Sequence, residues 1–203
     1  MQSDFPAKKC NRFANYLGRS IIKISGWKIA GGVPKNSQSM VIIAAPHTTN
    51  WDLVYLLGAA YSFRLSINWL GKSNLFFPVF GAFMRFLGGI PVDRSKSNNL
   101  VTQLASQIEN SDGLAIVVPP AGTRAYTDHW KSGFYRIAVE AKIPIVCGYL
   151  DFPKKEAGLG LSFMPSGDIK QDMDKIRAFY ADKVGKYPEN KSRIILREEE
   201  EEK

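Results

Sequence analysis

The sequence predicts an α/β fold: a single domain with a largely parallel central sheet flanked by helices, preceded by a basic amphipathic N-terminal helix. Three observations carry that expectation. Short β-branched runs alternate with helical segments, the order a parallel sheet requires. A length of 203 residues suits one domain with a sizeable core rather than two. The composition, 45% hydrophobic and 23% charged, excludes wholesale disorder and collagen-like or coiled-coil repeats.

The elements follow in chain order. Residues 1–40 carry Lys8, Lys9, Arg12, Arg19, Lys23, Lys28 and Lys35 against one acid, Asp4. At roughly 100° per residue, Phe13, Leu17, Ile21 and Ile24 share an arc of about 80°, and Lys8, Arg12, Arg19 and Lys23 lie opposite. Tyr16 and Trp27 stand near the boundaries, where interfacial aromatics sit. Such a helix can pack on its own domain with the cationic face in water, or dock on anionic phospholipid; amphipathicity leaves both open. Gly31-Gly32-Val33-Pro34 and the polar residues 35–39 break it.

Strands are then expected over 41–45, 66–70, 90–92, 114–118 and 144–150, with a weaker one over 159–164. Helices are expected over 52–63, with Asn50 as N-cap, and over 78–87, 97–109, 131–142 and 172–187. The expected division is a helical segment at 1–36, a main domain at 37–197 and an acidic tail at 198–203, solvated or frayed.

Charge and length narrow the partners. The net charge is +8, and without the tail 26 basic residues face 14 acidic ones. That surplus implies a polyanionic partner: nucleic acid, an anionic lipid surface or a phosphorylated substrate. The longest apolar stretches, 53–63 and 75–84, are bounded by Asp52, Arg64, Lys72 and Arg85. Both fall short of the roughly 18 residues a membrane span needs. A secretory signal pattern is missing, and the two cysteines, Cys10 and Cys147, form neither a disulfide framework nor a zinc motif. A reduced, intracellular protein is therefore expected; if it touches a membrane, it lies on it rather than crossing it.

In open α/β sheets, ligands bind beyond the carboxyl ends of strands. Four such junctions carry reactive or cationic residues: Pro46-His47-Thr48-Thr49-Asn50-Trp51-Asp52, Gly71-Lys72, Asp93-Arg94 and Pro119-Pro120-Ala121-Gly122-Thr123-Arg124. On a regular helix His47 and Asp52 would diverge by about 140°. With His47 in a loop and Asp52 in the first helical turn, the carboxylate can meet the ring, fix its tautomer and leave the other nitrogen as a general base. The alternative is that Asp52 only caps a helix and His47 only fills a loop. Arg94 and Arg124 could grip a phosphate, with Lys72 as a third cation and Gly122-Thr123 offering backbone N–H groups.

Other chemistries lack their signatures. There is no G-x-S-x-G elbow, and Cys147 lies in an apolar run that suits an inert core thiol. Neither a G-x-x-x-x-G-K-[ST] nor a G-x-G-x-x-G cradle is present. With two histidines a metal site is not expected; His129, between Asp128 and Trp130, reads as structural.

These blocks resemble the 1-acyl-glycerol-3-phosphate acyltransferase family of glycerolipid acyltransferases. The segment 46–52 is similar to the family's His-x4-Asp catalytic block. Gly89-Ile90-Pro91-Val92-Asp93-Arg94 is similar to its acceptor-binding block, 118–124 to its Phe-Pro-Glu-Gly-Thr-Arg block, and Ile143-Pro144-Ile145-Val146 to the fourth. The similarity spans roughly residues 40–150.

The resemblance implies acyl transfer from an acyl-thioester, on coenzyme A or acyl carrier protein, to a lysophospholipid hydroxyl. His47 would be the base, oriented by Asp52, with Arg94, Arg124, Gly122 and Thr123 on the acceptor phosphate and Lys72 assisting. It implies no bound cofactor, no metal, no nucleic-acid partner and a peripheral place on the cytoplasmic face of the membrane. The segment 75–86 could wall an acyl pocket or, equally, form a core helix. One departure stands out: Ala121 replaces the usual glutamate of the third block. The competing expectation is therefore a weakened or inactive relative that binds lipid without turnover.

Overall fold

The central strand Met40–Ala44 (β2) shows how the sheet separates its two faces. Met40 and Ile42 point one way, and Val41 and Ile43 the other, as the two-residue period of a strand dictates. All four are buried, because helices cover both faces.

The structure is a computed structural model that describes residues 8–35, 37–92 and 97–201. Its elements are helix Arg12–Ile24 (α1), strand Lys28–Gly31 (β1), β2, helix Trp51–Ser62 (α2), strand Ile67–Lys72 (β3), helix Pro78–Phe86 (α3) and strand Gly89–Val92 (β4). Helix Ser97–Glu109 (α4), strand Ala115–Val118 (β5), helix Gly133–Glu140 (α5), strands Ile145–Asp151 (β6) and Glu156–Phe163 (β7), and helices Ile169–Tyr180 (α6) and Glu198–Glu201 (α7) complete them. The strands form one sheet in the order β1-β7-β6-β2-β5-β3-β4. Every pairing is parallel except β6 with β7, which are antiparallel. The expected α/β fold with a largely parallel sheet is thus observed.

On the Val41–Ile43 face, Leu104, Phe134, Ile137, Met173, Ile176 and Tyr180 of α4, α5 and α6 form the larger core. Asp172 is buried there, bonded to Lys175 Nζ at 2.9 Å, Tyr135 Oη at 3.0 Å and the Ser166 amide at 2.6 Å. On the Met40–Ile42 face, Leu57 and Ala60 of α2 and Met84 of α3 cover the sheet. Helix α1 lies outside α2. The two cross at glycines: a Cβ on Gly18 would stand 2.6 Å from Tyr61 Cβ and 2.9 Å from Gly58 O.

Several expectations need correction. Lys28–Gly31 is an edge strand on β7, hidden from a periodicity reading by its shortness. Trp27 is not an interfacial aromatic: it is buried, stacked on Tyr55 at 4.3 Å and edge-on to Phe152. Asn50 has helical φ/ψ and makes no cap hydrogen bond; the Asp52 carboxylate instead accepts the amides of Thr48 and Thr49 in the loop before the helix. Helix α6 begins at the N-cap Asp168 and ends at Tyr180, not 187.

Within the acidic tail, Glu198, Glu199 and Glu200 are docked rather than solvated. Glu199 pairs with Arg177 at 2.7 Å, Glu200 with His129 at 2.9 Å, and Glu198 with the Ser132 hydroxyl. Cations of the fold recruited acids that local composition marks as a loose end.

Helix α1 separates three functions around its circumference. Its packing edge is Gly18 and Ile22. The apolar arc beside that edge is turned outward: Phe13, Leu17 and Ile24 are exposed, as is Tyr16. Arg12, Arg19 and Lys23 occupy the remaining side. Among the described residues no helix is long and apolar enough to cross a membrane.

Candidate active site

Parallel strands β2, β3 and β5 end side by side, so the loops leaving them share one edge of the sheet. The loop after β2 carries His47 and turns into α2, whose second residue is Asp52. Because the loop folds back on the helix start, His47 Nδ1 lies 2.9 Å from Asp52 Oδ2.

The same carboxylate oxygen accepts the backbone amides of Thr48 at 2.8 Å and Thr49 at 3.0 Å. One oxygen therefore holds both the ring and the loop amides that precede the helix. A negative group at a helix N-terminus is also favoured by the helix dipole. Asp52 is buried and His47 half-buried, with about a quarter of the His47 side chain open to solvent. Asp52 Oδ1 has no hydrogen-bond partner among the described residues. The acid thus has one committed oxygen and a fixed orientation, and Nε2 of His47 is the ring nitrogen left for other work.

A cavity of about 700 Å³ runs from this pair into the protein. At its mouth stand His47, Asp52, Lys72, Gly122, Thr123 and Arg124. Six of the seven expected site residues therefore meet at one opening; Arg94 lies outside the described residues. Arg124 donates from its guanidinium to the side-chain oxygen of Asn50. Among the described residues neither Arg124 nor Lys72 has an acidic partner. Gly122 adopts φ +67°, the left-handed region where a side chain would be strained, and so turns the backbone at the mouth.

Farther in, the walls are apolar: Ile42, Leu53, Leu56, Ala60, Phe63, Ile67, Trp69 and Leu159. The space exists because small residues line it. Ala44, Ala59, Gly148 and Gly158 stand where larger side chains would fill the gap between α2 and the sheet. Leu75, Phe80 and Met84 of the 75–86 segment also line the cavity.

Two contributors were missed in sequence. Asn50 holds Arg124 rather than capping α2. Thr48 is buried and accepts the Tyr187 amide at 3.3 Å, which ties the His47 loop to the segment after α6. Its signal was its place beside His47, but a hydroxyl's long-range partner has no local signature. Cys147 is fully buried, and desolvation pushes its thiol up to about 12, as suits a core thiol.

The acyltransferase family model matches residues 29–150, from β1 through β6. A 1-acyl-sn-glycerol-3-phosphate acyltransferase of Streptococcus pneumoniae is 26% identical over 143 residues, 66% of this chain and 52% of that protein. A yeast protein of the same name, from Saccharomyces cerevisiae, is 32% identical over 112 residues, 52% of this chain and 36% of its own length. The chain thus spans about half or less of the curated relatives it matches. The crystal structure of the 1-acyl-sn-glycerophosphate (LPA) acyltransferase PlsC from Thermotoga maritima shares the fold, with a TM-score of 0.56, 18% identity and coverage of 84% of this chain and 75% of that one. With the four ordered blocks and the family match over most of the sheet, the chain belongs to the acyltransferase family typified by the 1-acyl-glycerol-3-phosphate acyltransferases.

Proposed function

We propose that this protein moves a fatty acyl group from an acyl-thioester, on coenzyme A or acyl carrier protein, to the free hydroxyl of a lysophospholipid such as 1-acyl-glycerol-3-phosphate. The observation that carries the reading is the His47–Asp52 pair at the mouth of an apolar cavity rimmed by Lys72 and Arg124. Asp52 holds the proton on Nδ1. Nε2 takes the proton of the acceptor hydroxyl as its oxygen attacks the thioester carbonyl. The new C–O bond forms, the C–S bond breaks, and the imidazolium returns its proton to the departing thiolate. The protein itself carries no acyl group at any stage.

Arg124, Lys72 and the backbone at Gly122 and Thr123 seat the acceptor phosphate, joined by Arg94. Ala121 suits this role. Without a carboxylate at that position, the Arg124 charge is answered by the neutral amide of Asn50 alone among the described residues. Turnover with Ala121 in place separates this reading from that of a silent lipid-binding relative.

The outward arc of Phe13, Leu17 and Ile24 on α1, bordered by Arg12, Arg19 and Lys23, supports a peripheral position on the cytoplasmic face of an anionic membrane. The test is transfer of radiolabelled acyl groups from acyl-coenzyme A and from acyl carrier protein to lysophosphatidic acid. Formation of phosphatidic acid with either donor is expected. Liposome binding with no product from either donor would contradict the reading.

A further inference from the structure

The aromatic segment after β3 has an inner and an outer surface. On the inner one, Phe76 packs against Trp69 with ring centroids 6.1 Å apart, and Met84 is buried. A Cβ on Gly81 would stand 2.4 Å from the Phe76 carbonyl carbon, so α3 rests directly on the chain beneath it. On the outer one, Phe77, Val79, Phe83 and Phe86 are exposed, Val79 at 87% and Phe86 at 82%. Phe80 joins the two: it lines the cavity, stacks on Phe77 at 5.3 Å and meets Phe83 at 6.5 Å. Soluble surfaces scatter single apolar residues; a nine-residue helix that exposes four large ones, with Phe77 at its N-cap a fifth, presents an interaction surface.

We propose that α3 is a bilayer-immersed lip of the cavity, across which the lysophospholipid's acyl chain passes from the membrane past Phe80 without entering water. The inference rests on the acyltransferase reading for its substrate. Three observations favour a bilayer over a second copy of the chain. The outer face continues through Phe80 into the wall of an apolar cavity that opens beside it. Arg85, exposed on α3 with its guanidinium over the Phe76 ring, and Lys72 at the end of β3 flank this face with positive charge, which attracts lipid phosphates and repels a second copy. Helix α1, with its outward apolar arc, lies on the same side of the sheet as α3.

The test uses vesicles of phosphatidylcholine with phosphatidylglycerol. Phe86→Cys is labelled with an environment-sensitive fluorophore, since Cys10 and Cys147 are buried. A blue-shifted label, quenched by lipids brominated along their acyl chains, is expected. In parallel, Val79→Ser/Phe86→Ser, which alters two residues outside the cavity, is assayed on vesicle-borne and on short-chain, water-soluble lysophospholipid. The ratio of vesicle to soluble rate should fall about tenfold, the change expected for about 1.4 kcal/mol of lost partitioning. An unshifted label on vesicle-bound protein, or an unchanged ratio, overturns the inference. So does a concentration-dependent dimer in sedimentation that the double substitution dissolves. Loss of turnover on both substrates in His47→Ala, with the label still shifted, separates the fate of the acyltransferase reading from that of the lip.

Discussion

Arg124, from the segment after β5, donates to the side chain of Asn50, from the loop after β2. The bond ties two of the four motif blocks together across the cavity mouth, 74 positions apart in sequence. It holds the guanidinium with a neutral acceptor, so orientation is gained without neutralising the charge.

Replacing that amide with an acid should therefore hurt acceptor binding rather than chemistry. Asn50→Asp gives Arg124 a competing carboxylate, and Arg124→Lys removes the planar fork. Each is expected to raise the acceptor KM by roughly 10- to 100-fold, the range of one lost charge-assisted bond, with kcat changed far less. Steady-state kinetics against lysophosphatidic acid read the split; an equal fall in kcat would remove Arg124 from the phosphate site.

Cavity depth should set the acyl chain length. Ala60 lines the cavity from α2 and is buried. Ala60→Leu fills part of the space, and discrimination against longer chains should grow by about fourfold for each methylene excluded. A competition assay with mixed acyl lengths measures the shift. An unchanged profile would place the chain elsewhere.

A third prediction concerns the fold beneath the site. Burial pushes the Asp172 carboxyl up, but the Lys175 ammonium, the Ser166 amide and the Tyr135 hydroxyl outweigh it and hold the group below its ordinary 3.8. A carboxyl lowered by folding contributes stability that is present above the ordinary value and is lost as pH falls through the folded one. Asp172→Asn should cost about 1–3 kcal/mol at neutral pH. Chemical denaturation at several pH values should show the gap to wild type narrowing below about 3.8, the ordinary carboxyl value. A gap constant into strong acid would assign the loss to packing alone.

How far the sequence showed these features depended on their range. Val41–Ile43 and Ile145–Cys147 announced buried strands because β-branched and apolar residues run without interruption there. The turn between β2 and α2 was legible from His47 and Asp52, since their contact spans only five positions. What escaped is long-range. Trp27 looked interfacial until Tyr55 and Phe152 enclosed it. Glu199 looked solvated until Arg177 reached it across 22 positions. The Asn50–Arg124 bond could not be read from either residue's neighbours.

The central claim is that His47 is a base held in one tautomer by Asp52. It is tested most directly by single-turnover acyl transfer in His47→Ala and Asp52→Asn, each with lysophosphatidic acid saturating. Both should slow the chemical step by roughly 10²- to 10⁴-fold while acceptor affinity stays near wild type, as expected for loss of general-base catalysis. A step that proceeds at the wild-type rate without the imidazole would contradict the account.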